Sequence, residues 1–190
     1  VDISGYTGMV QGLPPREVVD ILNAFLPRVA DVVFGFGGTL EKFVGDAALA
    51  VWGAPFGSEF DTERALAAAI TLQREVQAMA DRRIQIHIGV HTGLVAAGTI
   101  GDERYVQYAA VGATTNVTSR LCSAAKPDQV LVSEATVRAL KNPEHWPLGE
   151  ATTISLRGMS DTFVVHELRW NESDAPSLSR LRLDTSPELS

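Results

Sequence analysis

One cysteine, Cys122, is the only thiol in this 190-residue chain. No intramolecular disulfide and no multi-cysteine zinc cluster can form, and a reducing compartment fits such usage. No uninterrupted apolar run approaches the roughly 18–20 residues that a membrane helix needs. The opening VDISGYTG also lacks the basic and apolar regions of a signal peptide. The expected location is the cytoplasm, or the cytoplasmic face of a membrane if the parent protein is anchored. Positive charge is scarce: 16 Lys and Arg stand against 23 Asp and Glu, a net charge of −7. A nucleic-acid binder needs a basic face to displace counterions from phosphates, so no nucleic-acid partner is expected. Several motifs are missing too. There is no GxxxxGK[ST] phosphate loop, no G-x-S-x-G elbow and no H-E-x-x-H pair, and GFGGTL ends in Leu40 where a dinucleotide fingerprint needs a small residue.

What is present reads as a globular α+β chain, 45% hydrophobic and 21% charged. VDI reads as the end of a strand whose first residues are missing. Val18, Leu22, Phe25, Val29, Val32 and Phe36 recur every three or four residues, which predicts a helix on a core, ended by Gly37-Gly38. TLEKFVGDAALAVWG predicts two strands joined by a tight turn at Gly45-Asp46. A second helix follows, capped by Asp61, with Ala65, Ala69, Leu72, Val76 and Met79 on its buried stripe. In RIQIHIGVH, isoleucines and valine alternate strictly with Gln85, His87, Gly89 and His91, the pattern of a strand with one buried face. LVAAGTIG and YVQYAAVG predict two strands, ATTNVTSRLCSAA a helix, QVLVS a strand, Glu134 to Leu140 a short helix, and TTISLR and TFVVHEL late strands. Residues 1–170 are expected to form one domain. Residues 171–190, rich in Ser, Pro and charge, are expected to be a flexible tail or linker.

Two carboxylates lie at turn or strand-end positions beside small residues: Asp2 in VDISG and Asp46 in FVGDA. Such a pair suits Mg²⁺, which nucleotide enzymes hold with one or two carboxylates plus substrate phosphates. The plainer readings are a strand-end cap for Asp2 and a turn residue for Asp46. Asn116 and Arg120 are four apart on the predicted helix and share a face, where they could converge on one ligand or form a surface ladder. Lys42 alternates with Leu40 and Val44 on an apolar strand face, where an ammonium needs a solvent path or a polar partner.

The ordered series VDISGYT, GGTLEKFVGDAALAVWGAP, IHIGVHTG, RYVQYAAVGATTNVTSRL, QVLVSEAT and LRGMSDTFVVHEL resembles the catalytic domain of class III nucleotidyl cyclases, from Val1 to about Leu168. The resemblance implies a ferredoxin-like βαββαβ core with additional αβ elements, a mixed sheet flanked by helices, its first strand truncated. It implies a head-to-tail homodimer with two sites at the interface. Asp2 and Asp46 match the metal-binding aspartates, for two Mg²⁺ or Mn²⁺ ions per site. Lys42 matches the base-reading lysine that favours adenine, supplied by the other subunit. Asn116 and Arg120 match the ribose-orienting asparagine and the transition-state arginine, and Arg104 and Arg157 match phosphate-binding basic positions. The implied reaction is ATP to 3′,5′-cyclic AMP and pyrophosphate, with further regulatory domains in the parent protein.

One matching position departs from the family. The second base reader, usually an aspartate or threonine, is Ala109, which has no side-chain acceptor for the adenine amino group. That loss is worth roughly 1–3 kcal/mol of purine discrimination and loosens selectivity between ATP and GTP without abolishing catalysis. Other readings are a non-catalytic nucleotide-sensing dimer of the same fold and a purely structural dimerisation domain, separable by product formation and by nucleotide-dependent thermal stabilisation. A diguanylate cyclase is disfavoured because GGTLEKF lacks acidic residues of a GGDEF loop.

Overall fold

The structure of the chain, a computed structural model, describes residues 1–81, 83–102, 105–172 and 178–183. Its strands are β1 (Asp2–Ile3), β2 (Thr39–Val44), β3 (Ala47–Val51), β4 (Ile86–Val90), β5 (Ala96–Asp102), β6 (Tyr105–Val111), β7 (Val130–Ser133), β8 (Thr152–Ser155) and β9 (Thr162–Glu167). Its α-helices are α1 (Tyr6–Val10), α2 (Pro15–Gly35), α3 (Asp61–Gln77), α4 (Ala113–Ala124) and α5 (Glu134–Ala139). Among the described residues no helix is long and apolar enough to cross a membrane.

The main sheet runs β1-β4-β7-β9-β8, with β4 and β7 parallel and the other neighbours antiparallel. The β2–β3 hairpin joins its β1 edge through reciprocal backbone bonds: the Val1 amine donates to the Ala48 carbonyl and the Ala48 amide to that of Val1. Across the first four strands the spatial order is therefore β4-β1-β3-β2, the ferredoxin-like βαββαβ arrangement, extended beyond β4 by β7, β9 and β8. The β5–β6 hairpin forms its own two-stranded ladder.

Period-two alternation decides which residues face which layer. On β4, Ile86 and Ile88 point into the principal core with Phe25, Val29 and Val32 of α2 and Leu66, Ile70 and Val76 of α3. Gly89 points the other way, under α4. The intervening residues of β7 divide likewise: Val130 and Val132 join the principal core, while Leu131 packs with Leu121 of α4 and Val165 of β9. Pro15 begins α2 at the position where a missing amide costs nothing. Asp61, expected to cap α3, is instead its first residue, after Phe60; its carboxylate accepts from the Ser58 amide.

Most of the expected tail lies outside the described residues. Within 178–183, Leu181 packs against the principal core and the Leu183 amide donates to the carbonyl of Gly35.

Candidate active site

β1 is only two residues long, and its alternation puts Ile3 in the core and Asp2 on the opposite face. Asp46 sits in the two-residue turn between β2 and β3, where Gly45 takes a left-handed conformation with φ 63° that glycine adopts without penalty. The Val1–Ala48 bonds tie that turn to β1, which brings the Asp46 carboxyl within hydrogen-bonding reach of Asp2. Burial, the Asp2 hydrogen bond and the Asp2 charge together push Asp46 up to a pKa of about 6, against the opposing pull of the Asp46 and Ile3 amides.

His87 lies directly across from Asp2 in the β1–β4 register. Its Nε2 is 3.7 Å from Asp2 Oδ2, and its Nδ1 is 2.8 Å from Ser4 Oγ. Burial lowers its pKa, so at neutral pH the ring is uncharged and leaves the two carboxylates without a full positive partner. No lysine or arginine among the described residues pairs with either aspartate, and no group of three or more His, Cys, Asp or Glu among them could hold a metal. Two crowded carboxylates lacking a cation fit a hard divalent ion that takes its remaining ligands from oxygen atoms of substrate, water or backbone. They fit zinc poorly, because among the described residues His87 is the one nitrogen donor beside the pair, short of the nitrogen and sulfur set that a zinc site uses.

Asn116 and Arg120 do share one face of α4. With Ser119, Ser123, Ser155 and Arg157 they line a cleft of about 580 Å³. The Arg120 guanidinium donates to the backbone carbonyl of Arg157 and lies against Gly158, whose φ of 73° turns the chain after β8. Neither Asp2, Asp46 nor Lys42 lines this cleft. Two groups thus form within one chain, the aspartate pair at the β1 edge and the amide–guanidinium pair under α4.

Lys42 projects from β2 with 42% of its side chain exposed, its Nζ 3.0 Å from a carboxylate oxygen of Glu41. Ala109 is buried on β6, opposite Gly98 of β5, and β6 touches β2. Arg104 lies outside the described residues. Sequence reasoning missed Ser4, His87 and Glu41 as neighbours of the site. Strict alternation placed His87 on the face opposite the core isoleucines, a signal that it stood on the same side as Asp2. Glu41 carried no comparable signal.

The family model for the adenylate and guanylate cyclase catalytic domain matches residues 1–167. Rv1319c, an uncharacterized protein of Mycobacterium tuberculosis, is 40% identical over 168 residues, which is 83% of this chain and 30% of that protein. Rv1320c of the same organism is 39% identical, with 83% and 28% covered. The chain thus spans less than a third of these relatives. Among solved structures, the guanylyl cyclase Cya2 is 32% identical with a TM-score of 0.79, covering 88% of this chain and 87% of that one. The adenylyl cyclase CyaB from P. aeruginosa is 24% identical with a TM-score of 0.81, covering 92% and 93%, and shares the fold. With the family model spanning nearly every ordered element from β1 to β9, the chain belongs to the adenylate and guanylate cyclase catalytic domain family.

Proposed function

We propose that this domain is an adenylate cyclase that works as a head-to-tail homodimer, each site combining Asp2 and Asp46 of one chain with Lys42, Asn116 and Arg120 of the other. The observation that carries the reading is the separation just described. The carboxylate pair stands at the β1 edge, and neither of its members lines the cleft of Asn116 and Arg120 in the same chain. A second copy supplies the missing half of each.

In this reading Asp2 and Asp46 hold two Mg²⁺ or Mn²⁺ ions, which supply charge neutralisation and a more acidic ribose 3′-hydroxyl. Asn116 orients the ribose so that its 3′-oxygen lies in line with the α-phosphorus. The bond from that oxygen to phosphorus forms as the hydroxyl proton passes to solvent water and the bond from the α-phosphorus to the bridging oxygen breaks, and pyrophosphate leaves with the electron pair. Arg120 faces the charge growing on the α-phosphoryl oxygens, where losing one placed donor costs on the order of 10²–10³ in rate. Arg104 and Arg157 bind the departing phosphates. Lys42 donates to the purine edge, which favours adenine over guanine at the ring nitrogen N1, an acceptor in the first and a donor in the second.

Ala109 supports a looser ATP preference, since its buried methyl group offers no acceptor to the adenine amino group. The decisive test is incubation of purified chain with ATP or GTP and Mg²⁺ or Mn²⁺, followed by chromatography for cyclic nucleotide and pyrophosphate. Cyclic AMP in excess over cyclic GMP supports the reading. Nucleotide binding without product favours a sensor, and no binding rejects both.

A further inference from the structure

Glu41 is the extra residue of a β-bulge. In the β2–β3 ladder Leu40 pairs with Ala50 and Lys42 with Leu49, so Glu41 has no partner across the hairpin. Successive side chains of a regular strand point to opposite faces, whereas a bulge rotates one residue out of that order. Here it lets two consecutive charged side chains meet, with Lys42 Nζ 3.0 Å from Glu41 Oε1.

The two partners are unequally placed. The Lys42 side chain is 42% exposed, while that of Glu41 is 1% exposed. Neither Glu41 oxygen accepts a directed hydrogen bond among the described residues; the ammonium stands at ion-pair distance but off the hydrogen-bond line. A carboxylate stripped of water and given one ionic partner is a poor choice for stability, because an apolar residue of similar volume serves a strand at least as well. What the buried charge does accomplish is to hold the lysine head in one place. A long, flexible side chain on an exposed strand otherwise samples many rotamers.

The geometry points to Glu41 as a positioning residue that aims Lys42, and through it sets the preference for adenine. This rests on the reading of Lys42 as the purine reader. Ala109 sharpens the dependence: with no acceptor at that position on β6, discrimination falls on the direction of a single donor, and that direction is set by the neighbouring carboxylate.

The test measures equilibrium binding of 3′-deoxy-ATP and 3′-deoxy-GTP with Mn²⁺, which lack the attacking hydroxyl, beside kcat/KM for ATP and GTP. It uses the full chain, Glu41→Gln, Glu41→Asp, Lys42→Ala and the Glu41→Gln/Lys42→Ala double variant. Glu41→Gln should lower the ATP-to-GTP ratio roughly five- to tenfold, through nucleotide affinity and KM rather than kcat, with the melting temperature kept. Glu41→Asp should restore most of the ratio, and Glu41→Gln should have no further effect once Lys42 is alanine. If Lys42→Ala shifts the ratio and Glu41→Gln does not, the inference fails while the reading of Lys42 stands. An equal Glu41→Gln effect in both backgrounds means that Glu41 acts without Lys42, which also overturns it. If Lys42→Ala leaves the ratio unchanged, the purine-reader assignment falls, and this inference with it.

Discussion

A Cβ built on Gly89 would stand 2.4 Å from the amide nitrogen of Cys122 and 2.8 Å from its Cα. The backbone of α4 therefore rests directly on β4, with no side chain between them. The atoms in the way are main chain and cannot rotate aside. Through this contact the strand sets the height of the helix that carries Asn116 and Arg120.

Gly89→Ala should accordingly push α4 off the sheet. Overpacking of this kind costs about 1–3 kcal/mol or somewhat more, measurable as a shift in the denaturant midpoint. Cyclic nucleotide formation should fall by more than tenfold in the fraction that remains folded, because groups at the reacting centre tolerate little displacement. A folded variant with unchanged kcat would show that α4 is not held at a catalytically decisive height.

The Asp46 carboxyl, pushed up to about 6 from an ordinary 3.8, holds its proton more tightly in the native chain than in the unfolded one. The native state then binds more protons between those two values, so stability without divalent cations falls as pH rises through that window. Allowing for solvent screening, the loss is ~1 kcal/mol. Asp46→Asn should remove the slope, seen in melting temperatures recorded from pH 4 to 8 in chelator. Mn²⁺ affinity of the native chain should rise as pH climbs to about 6 and flatten above it; a pH-independent affinity would contradict the crowded-carboxylate picture.

Asp46→Ala should abolish cyclisation while leaving the melting temperature unchanged or slightly raised at pH 7, since it removes a crowded charge and no core contact. Near-normal turnover by the purified variant would remove Asp46 from the site.

Mixing supplies a sharper test of the shared site. Asp46→Ala and Arg120→Ala chains should each be nearly inactive alone. In a mixed dimer one interface site carries both lesions and the other neither. Random exchange makes about half of the dimers mixed, each with one intact site of two, so roughly a quarter of wild-type activity should return. Exchange is followed with a mass-tagged chain, and silence despite complete exchange would refute sharing across the interface.

Much of this organisation was legible before any coordinates. The three-four spacing of α2 and α3 and the alternation of β4 depend only on local periodicity, and the structure places Phe25, Val29, Leu72 and Ile88 in the core as that periodicity requires. The Asp2–Asp46 pair was suggested by residue type, but their approach depends on the Val1–Ala48 bonds, which link positions 47 residues apart. Glu41 was hidden for a physical reason. Alternation presumes an unbroken ladder, and a bulge moves a charged residue to the buried side without changing its neighbours in sequence. Arg157 reaches the α4 cleft because β8 ends beside it, a long-range arrangement with no local signature.

The bond from Arg120 to the Arg157 carbonyl has one more consequence, which concerns rotamer entropy. A guanidinium anchored through one N–H keeps its other donors on a rigid plane, so their direction is determined before any ligand arrives. An ammonium offers no such division, because its donors swing about a single flexible stem. Under the proposed reaction, part of the ordering of this side chain falls at the folding step, and that part does not oppose nucleotide capture.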